Sequence, residues 1–424
     1  MNMALESTSS TGPRARRIVA EVMIPGRGEP IEQATVCLNG NTITYAGPSA
    51  DAPASGPEAG DDEVVTEVHT VMPGLWDCHV HFVGLPGIDL EMLGTTHPVT
   101  ATARAASDVT ATIRGGVTSV RDVGGLGLRM APAVDEGRLL GPTIHAAGAI
   151  LSTTGGHGDI HAYPLDFVHA INCSADFSIL CDGVPEVLRA VRTNLRANAK
   201  LIKICASGGV MSEIDHPIHQ QFSDEELSAI VAEAGRAERI VAAHCHGKPG
   251  IMAALRAGVH TIEHGSYLDE EAAELMVETG AMLVPTRFVV DKLLGMEDLL
   301  PRYAYEKGKA IADVHEQAMK IAVAKGVRIA AGCDIFVSGS PFYGRSGEEI
   351  RHLINAGLTD LEAIEAATAN GPETLGPQAP RSGQLVAGYD ADLIAFDTNP
   401  LDDRSVWGDP GRLTHIWKAG RAMA

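Results

Sequence analysis

The middle of the chain, from about residue 70 to residue 375, alternates short apolar segments with longer segments whose apolar residues recur every three or four positions. Short apolar runs are typical of buried strands, and the longer pattern predicts amphipathic helices. Eight strands separated by helices indicate a parallel sheet, and eight parallel strands can close into a (β/α)8 barrel. The predicted strands are 71–78, 117–122, 142–148, 200–206, 240–245, 259–263, 281–285 and 328–333, and the predicted helices are 101–114, 184–197, 223–238, 249–257, 269–279, 309–325 and 359–369.

Both ends of the chain are rich in β-favouring segments separated by turns. The dipeptide Asn39-Gly40 lies between two such segments and predicts a hairpin. Two β-rich ends that flank one α/β region suggest that the ends pair with each other. The predicted fold is therefore α/β, a (β/α)8 TIM-like barrel with a small β-sandwich domain built from both chain ends. The predicted divisions are a flexible N-terminus over 1–17, the β-sandwich over 18–69 plus 376–424, and the catalytic barrel over 70–375.

The composition narrows the classes of function. The 424 residues include 33 Lys and Arg against 54 Asp and Glu, a net charge of −21, which argues against nucleic acid or an anionic membrane surface as a partner. With 45% hydrophobic residues the chain can bury a large core, yet no stretch reaches the length of a membrane span and the N-terminus lacks a signal-peptide pattern. Seven cysteines without a C-x-x-C pair suggest a reducing, cytoplasmic setting.

Residues able to bind a metal, directly or after chemical modification, stand at the ends of five predicted strands. His79 and His81 close the first strand, and because strand side chains alternate, both project from the same face. Both imidazoles can therefore reach one ion. Taken singly, this pair is explained equally well as two polar residues at a strand end.

Lys203 lies within the apolar fourth strand. If Ile202 and Ile204 face the helices, Lys203 points into the barrel, where a lysine is costly unless it is neutralised, paired or chemically changed. As a carbamate formed with CO2 it would be an anionic oxygen ligand able to bridge two ions. A Schiff-base lysine and a structural ion pair remain the alternatives, and Lys200, at the start of the strand, is expected in solvent.

Three later strands also end in ligand-type residues, namely His244, His264 and Asp334. Active sites of (β/α)8 barrels occupy the C-terminal mouth. His260 shares a face with His264 but begins its strand at the opposite mouth, so we expect it to be structural. Residues from five strands are thus predicted to converge on one metal site: His79, His81, Lys203, His244, His264 and Asp334.

These residues and the segments around them resemble the amidohydrolase superfamily. Its barrels bind two divalent metals through two histidines on strand one, a carboxylated lysine on strand four, histidines on strands five and six, and an aspartate on strand eight. All these positions are matched here, and the resemblance spans nearly the whole chain, including the tail 383–397. The segments 151–159, 203–209 and 263–265 are similar to the branch that holds Xaa-Pro dipeptidases, carboxypeptidase-like enzymes and ochratoxinase. Cys333 departs from the pattern, because a hydroxyl residue is commoner before the aspartate.

The resemblance implies a cofactor and a mechanism. Two divalent metal ions, expected to be zinc, would be bridged by a CO2-derived carbamate on Lys203 and by a hydroxide that attacks the scissile carbonyl. Asp334 would take the proton from that hydroxide and pass it to the leaving amine. His246 and His157 are placed to hold a substrate oxygen or carboxylate, and His246 is also a candidate catalytic residue. Cysteines beside the ligands, Cys205 among them, are expected to face away from the metals as small core residues.

We therefore predict a binuclear amidohydrolase that cleaves the amide bond of N-acyl amino acids or dipeptides. Its candidate substrates include ochratoxin A, which would be hydrolysed to ochratoxin alpha and phenylalanine. The segments 149–199 and 286–310 should build the substrate pocket with Phe167, Phe177, Phe288 and Tyr303. A cyclic-amide (imidazolone-type) hydrolase and a catalytically silent metal-binding assembly protein stay open as alternatives. By analogy with relatives on the same branch, which often form octamers, we expect a homo-oligomer.

Overall fold

The structure is a computed structural model that describes residues 15–54 and 63–423, the side chains of 172–175 excepted. Most of the predicted flexible N-terminus, 1–17, lies outside the described residues, while Arg16 and Arg17 belong to the first strand. The strands are β1 (Arg16–Met23), β2 (Ile31–Asn39), β3 (Thr42–Pro48), β4 (Val64–Pro73), β5 (Leu75–Leu85), β6 (Val117–Asp122), β7 (Thr143–Ala146), β8 (Ile150–Ser152), β9 (Ser178–Leu180), β10 (Ile202–Cys205), β11 (Val241–Cys245), β12 (Thr261–His264), β13 (Met282–Val284), β14 (Ile335–Val337), β15 (Leu393–Phe396), β16 (Leu413–Lys418) and β17 (Arg421–Ala422).

The helices of the described residues alternate with the barrel strands. All seven predicted helices are present, and the predicted capping box at Ser223 is formed with Glu226. Several short helices in the connections were not predicted. The helices are α1 (Met92–Thr95), α2 (Pro98–Arg114), α3 (Gly127–Asp135), α4 (Leu165–Ala175), α5 (Val184–Arg196), α6 (Asp224–Arg236), α7 (Lys248–Ala257), α8 (Glu270–Thr279), α9 (Arg287–Leu294), α10 (Arg302–Lys325), α11 (Glu348–Asn355), α12 (Asp360–Ala366) and α13 (Asn370–Glu373).

Strands from both ends of the chain form one seven-stranded sheet in the order β17-β16-β15-β4-β1-β2-β3. The predicted hairpin is confirmed, since Asn39 pairs with Thr42 and Gly40 adopts a φ of +63° in the turn. The predicted strand 71–78 is divided at Gly74, because β4 ends in this sheet and β5 begins the barrel. One apolar cluster, which includes Ile18, fills one side of the sheet.

The central strands close into a barrel, as the sequence predicts. Two parallel sheets, β13-β12-β11-β10-β8-β9 and β14-β5-β6-β7, make up its wall. The backbone N–H of Lys200 donates to the carbonyl of Ala146 at 2.9 Å and joins the two sheets on one side. On the other side, the segment 328–331 hydrogen-bonds at 2.9 Å both to Leu283 and to Cys78. The fold is thus a (β/α)8 barrel with a β domain built from both ends.

The eighth strand is less regular than predicted. Within 328–333 only Ile329 forms a strand bridge, to Leu283, and the regular strand β14 follows Asp334 instead of preceding it. Asp334 has a φ of +57°, a left-handed conformation that interrupts an extended ladder. The side chain of Asp334 is therefore presented at a bend between two extended segments.

The predicted third strand is also subdivided. β7 ends at Ala146, Gly148 turns the chain with a φ of +73°, and β8 then pairs with β10 through Leu151 and Ile204. The connection to β10 adds α4 and β9, whose residues Val168 and Leu180 share an apolar cluster with Leu85 at the end of β5. Within the described residues, no helix combines the length and the apolar character needed to cross a membrane.

Candidate metal centre

The C-terminal mouth of the barrel holds a cleft of about 650 Å³, the open solvent at its entrance included. Alternation along β10 turns Ile202 and Ile204 towards the surrounding helices and Lys203 towards the interior, as predicted. The structure brings every predicted site residue to this one cleft, whereas His260 hydrogen-bonds elsewhere, to the carbonyl of Glu373. The residues in the cleft are His79, His81, His157, Lys203, His244, His246, His264 and Asp334.

His79 is held from behind by a carboxylate. Its Nδ1 lies 2.7 Å from Oε2 of Glu263, so Nδ1 carries the proton and donates it to that oxygen. Its Nε2 faces the cleft, 3.3 Å from the Lys203 Nζ and 3.5 Å from the Asp334 Oδ1. Burial, followed by the nearby charge of Lys203, lowers the pKa of His79 to about 4. The ring is therefore neutral at physiological pH, with a lone pair available to a metal.

His81 and Asp334 meet across the same part of the cleft. The His81 Nδ1 is 2.8 Å from the carbonyl oxygen of Gly124, and its Nε2 is 3.3 Å from the Asp334 Oδ1. The backbone N–H of Asp334 donates to the carbonyl of His79 at 2.6 Å. Burial acts to raise the pKa of Asp334, but the imidazoles of His79 and His81 outweigh it and lower that pKa. Asp334 is therefore an ionised carboxylate, and its side chain keeps 22% of its surface exposed.

Lys203 is only 2% exposed. The one hydrogen-bonding contact described for its Nζ is with His79, and no described carboxylate lies within ion-pairing distance. Burial lowers the pKa of this amine. An interior lysine without a counterion is unfavourable as an ammonium and is suited to chemical conversion. This environment disfavours the structural ion pair that the sequence left open.

His244, His246 and His264 form a compact group at the ends of β11 and β12. The ring centroids of His244 and His264 are 4.6 Å apart, and those of His246 and His264 are 4.9 Å apart. Each ring has an outer partner: the Gly208 carbonyl for His244, Ser266 for His246 and Thr286 for His264, at 3.2, 2.8 and 2.7 Å. Burial lowers the pKa of all three well below the usual value, so the rings are neutral.

The donor set fits a centre for divalent transition metals. Ligand atoms of His244, His246 and His264 lie within 4.8 Å of one another, and so do those of His79, His264 and Asp334. Neutral imidazoles, each fixed by a hydrogen bond on its other nitrogen, together with a carboxylate are the ligands that zinc prefers. His246 belongs to the first group, a ligand role that the sequence analysis did not consider. Metal binding by the individual residues stays a prediction.

His157 and Cys205 complete the floor of the cleft. The His157 ring stacks on His244 with centroids 4.2 Å apart, and its Nδ1 lies 2.8 Å from the Ser212 Oγ. A Cβ at Gly209 would come within 2.0 Å of the His157 ring, so only glycine permits this approach. The expectation for Cys205 was wrong, because it stands two residues after Lys203, shares its face of β10 and lines the cleft.

Two buried networks escaped the sequence analysis. Arg121 is fully buried and donates to the Glu263 Oε1 at 2.7 Å, which links it through Glu263 to His79. Ser212 connects His157 to Asp215. A charged residue inside an apolar strand, such as Arg121 in β6, was a usable signal for the first network. The second joins two loops, so nothing in the sequence pattern pointed to it.

The walls of the cleft are apolar. Phe177 lines a compartment next to His81 and Asp334, whereas Phe167 is 43% exposed. Phe288 lines a neighbouring compartment, and the Tyr303 hydroxyl donates to the carbonyl of Met211 at 3.3 Å. The predicted segments 149–199 and 286–310 therefore line the cleft with some of the predicted aromatic residues, such as Phe177, but not with Phe167. The main apolar lining residues are Val210, Met211, Val289, Val290, Leu293 and Ile311.

Known proteins resemble this chain over most of its length. The model of the amidohydrolase family matches residues 70–423. Ochratoxinase from Aspergillus niger is 43% identical over 417 residues, which cover 95% of this chain and 85% of that protein. Its crystal structure aligns with a TM-score of 0.89 at 41% identity, covering 97% of this chain and 96% of that one.

Two further relatives bear on the chemistry. The crystal structure of a Xaa-Pro dipeptidase with bound methionine in its active site aligns with a TM-score of 0.85 at 30% identity, covering 96% of this chain and 99% of the other. Imidazolonepropionase from Micrococcus luteus is 26% identical over 422 residues, covering 93% and 95% of the two chains. The family match and the 43% identity agree with the cleft described above. The chain belongs to the amidohydrolase family of metal-dependent enzymes and is a hydrolase that acts on amide bonds.

Proposed function

We propose that this protein is a binuclear metal-dependent amidohydrolase that releases the C-terminal amino acid from N-acyl amino acids or dipeptides. The observation that carries the proposal is one cleft in which ligand atoms of His79, His264 and Asp334 lie within 4.8 Å of one another and which His81, Lys203 and His244 also line. Nitrogen and oxygen donors from separate strands that face one cleft are a suitable framework for two neighbouring ions. Lys203, buried beside His79 without a counterion, supports a carbamate bridge.

The ligands of the proposed metals are His79, His81, Lys203 as its carbamate, His244, His264 and Asp334. Two divalent ions, which we expect to be zinc, would polarise the amide carbonyl and acidify water at neutral pH. The outer hydrogen bonds of the histidines hold their rings in one orientation, and the acceptors Glu263 and the Gly124 carbonyl place a proton on Nδ1 of His79 and His81. The protein thus offers a preorganised set of nitrogen donors and anionic oxygens.

Asp334 is the proposed proton carrier. Its carboxylate is ionised and partly exposed to the cleft, so it can accept a proton from the attacking water and deliver it to the nitrogen of the leaving amine. His157 and His246 line the same cleft and are proposed to contact the substrate. The apolar walls exclude water from the reacting groups.

The shape and polarity of the cleft favour amides with apolar or aromatic groups on both sides of the scissile bond. Phe177 and Phe336 line one compartment, and Leu293 and Ile311 line the other. The names of the relatives, an ochratoxinase and a Xaa-Pro dipeptidase, are consistent with such substrates. We propose N-acyl amino acids with an aromatic acyl group, ochratoxin A included, as the first substrates to test.

A cyclic-amide hydrolase on the same scaffold is the second candidate, favoured by the 26% identity to imidazolonepropionase. Matched linear and cyclic amides would separate the two activities through their products. A catalytically silent assembly protein would hydrolyse neither. A homo-oligomer, the octamer by analogy, remains part of the proposal and can be measured by light scattering of the purified protein.

The decisive experiment combines elemental analysis with a hydrolysis screen of N-acyl amino acids that differ in the C-terminal residue. Protein loaded with zinc in bicarbonate buffer should hold two metals per chain and release free amino acid. Lys203→Ala should lose the metal pair and nearly all activity. Lys200→Ala is the matched control, because Lys200 is partly exposed and, among the residues that the structure describes, its Nζ makes only a 3.4 Å contact with Asn198.

The control variant should keep both metals and the activity of the wild type. Two metals and full activity in Lys203→Ala would contradict the proposed bridge. A zinc-loaded wild type that cleaves no amide in the panel would contradict the proposed hydrolysis and leave the silent alternative.

A further inference from the structure

His157 ends a chain of hydrogen bonds that runs away from the metal centre. Its Nδ1 lies 2.8 Å from the hydroxyl of Ser212, and that hydroxyl donates to the Oδ1 of Asp215. The proposed mechanism above assigns no task to Ser212 or Asp215. Both lie in the loop after β10, a different segment from the loop that carries His157.

The carboxylate of Asp215 is surrounded by donors. Its Oδ2 accepts from the backbone N–H of Gly209 at 2.9 Å and from the side-chain amide of Gln221 at 3.1 Å. The ammonium of Lys307 lies 3.6 Å from its Oδ1. Burial acts to raise the pKa of Asp215, but the nearby His157, Ser212 and Gly209 together lower it. Asp215 is therefore an ionised carboxylate that can only accept hydrogen bonds.

This arrangement sets the donor and the acceptor of each hydrogen bond in the series. A serine hydroxyl has one proton, and here Ser212 gives that proton to Asp215. Ser212 can then only accept from His157, so the Nδ1 of His157 must carry a proton. The Nε2 of a neutral His157 is left with its lone pair.

The ring of His157 has no freedom to turn. It stacks on His244 at 4.2 Å, and its own backbone N–H donates to the Gln221 Oε1 at 3.1 Å. Gly209 also packs against the ring, since a Cβ there would overlap it. Lys307, from α10, donates to the carbonyls of Ser212 and Asp215 at 2.6 Å each, which fixes the loop. His157 is thus held in one orientation, with Nδ1 turned towards Ser212.

We propose that Ser212 and Asp215 are positioning residues that hold His157 as its Nδ1–H tautomer, so that the Nε2 lone pair accepts a hydrogen bond from the substrate. This inference rests on the proposed function and deepens it. The sequence suggested a histidine that holds a substrate oxygen, which requires a proton on Nε2. The observed network instead favours contact with an N–H or O–H group, such as the N–H of a scissile secondary amide.

Asp215→Asn gives the sharpest test, because the surrounding donors dictate how the new amide will lie. Two N–H groups, from Gly209 and Gln221, point at the position of Oδ2. The amide oxygen keeps both hydrogen bonds only at that position, so the amide NH2 faces Ser212. The ammonium of Lys307, 3.6 Å from Oδ1, does not compete for the oxygen, because its three N–H groups donate to the carbonyls of Gly209, Ser212 and Asp215. Ser212 would accept from that NH2 and donate to His157, which moves the proton of the imidazole from Nδ1 to Nε2.

The tautomer is read by ¹⁵N NMR of the zinc-loaded, histidine-labelled protein, with the two nitrogen signals assigned by their disappearance in His157→Gln. In the wild type Nδ1 should be the protonated nitrogen. Asp215→Asn should exchange the protonated and unprotonated signals and lower kcat/KM about 10- to 100-fold, as expected for the loss of a group that orients a histidine. Two metals per chain should remain by elemental analysis.

Ser212 supplies a matched pair of variants should Asp215→Asn fail to fold. Ser212→Ala removes the hydroxyl and should lower kcat/KM about 10- to 100-fold. Ser212→Thr keeps the hydroxyl and should restore the wild-type signals and most of the rate. Unchanged His157 signals in Asp215→Asn, or Ser212→Ala with the kcat/KM of the wild type, would overturn the proposal. The NMR readout requires no turnover, so an enzyme that cleaves none of the amides would refute the proposed function alone.

Discussion

The buried pair of Arg121 and Glu263 yields a prediction with a definite magnitude. Both side chains are fully buried, and Glu263 accepts hydrogen bonds from Arg121 at 2.7 Å, from Thr261 at 2.5 Å and from His79 at 2.7 Å. Replacing Glu263 by Gln keeps the size of the side chain but removes its charge. Arg121 would then be an interior cation without its counterion.

The expected loss of folding stability follows from that unpaired charge. Removing one partner of a buried ion pair destabilises a protein by about 3–5 kcal/mol. A second effect concerns His79. Two donors, Arg121 and Thr261, face one oxygen of Glu263, so the Gln amide NH2 would face the Nδ1 of His79 and favour a proton on its Nε2. His79 would then be a poor ligand, with metal affinity about 10- to 100-fold lower.

Urea unfolding of metal-free protein measures the first effect, and competition with a chromophoric chelator measures the second. Tryptophan fluorescence follows the unfolding, because Trp76, Trp407 and Trp417 are all buried and Trp76 lies inside the barrel. Asp360→Asn is the control, because it breaks an exposed ion pair with Arg404 and should leave the unfolding midpoint nearly unchanged.

The double variant Arg121→Met with Glu263→Gln should lose less stability than the sum of the two single variants, since no unpaired charge remains. Strict additivity, or a Glu263→Gln protein as stable as the wild type, would refute the argument. Wild-type metal affinity in Glu263→Gln would refute the role assigned to the contact with His79.

Two other predictions concern single residues. Gly209→Ala should lower kcat/KM about 100-fold, because the added methyl group displaces His157. Gly235→Ala is the control: this exposed helical position has open space around it, so the variant should keep full activity and gain up to about 1 kcal/mol of stability. Equal activity of the two variants would contradict the first expectation. Burial raises the pKa of Glu349 from its ordinary 4.5 to about 8. The fold therefore favours its neutral form, so this contribution to stability is complete below pH 4.5 and is lost as the pH rises through about 8. Glu349→Gln should flatten that dependence in thermal unfolding measured from pH 4 to pH 9, and a wild-type slope in the variant would contradict the assigned cause.

The sequence alone was sufficient for the barrel and for the set of residues in the cleft. Apolar strands alternating with amphipathic helices are visible locally, and parallel strands place their C-terminal ends at one mouth. His79, His244 and Asp334 could therefore be grouped although they are far apart in the chain. The spacing of Lys203 in β10 even predicted its direction, because side chains alternate along a strand.

Tertiary structure alone decided the partners behind these residues. Glu263 behind His79 and Ser212 behind His157 are contacts between separate segments, and no period in the sequence encodes which side chains meet. The bend at Asp334 likewise depends on a backbone hydrogen bond to His79, so a local pattern extended the strand too far. Residue type and period determine which groups reach the mouth of the barrel. The packing of separate strands and loops against one another determines which group stands behind each histidine.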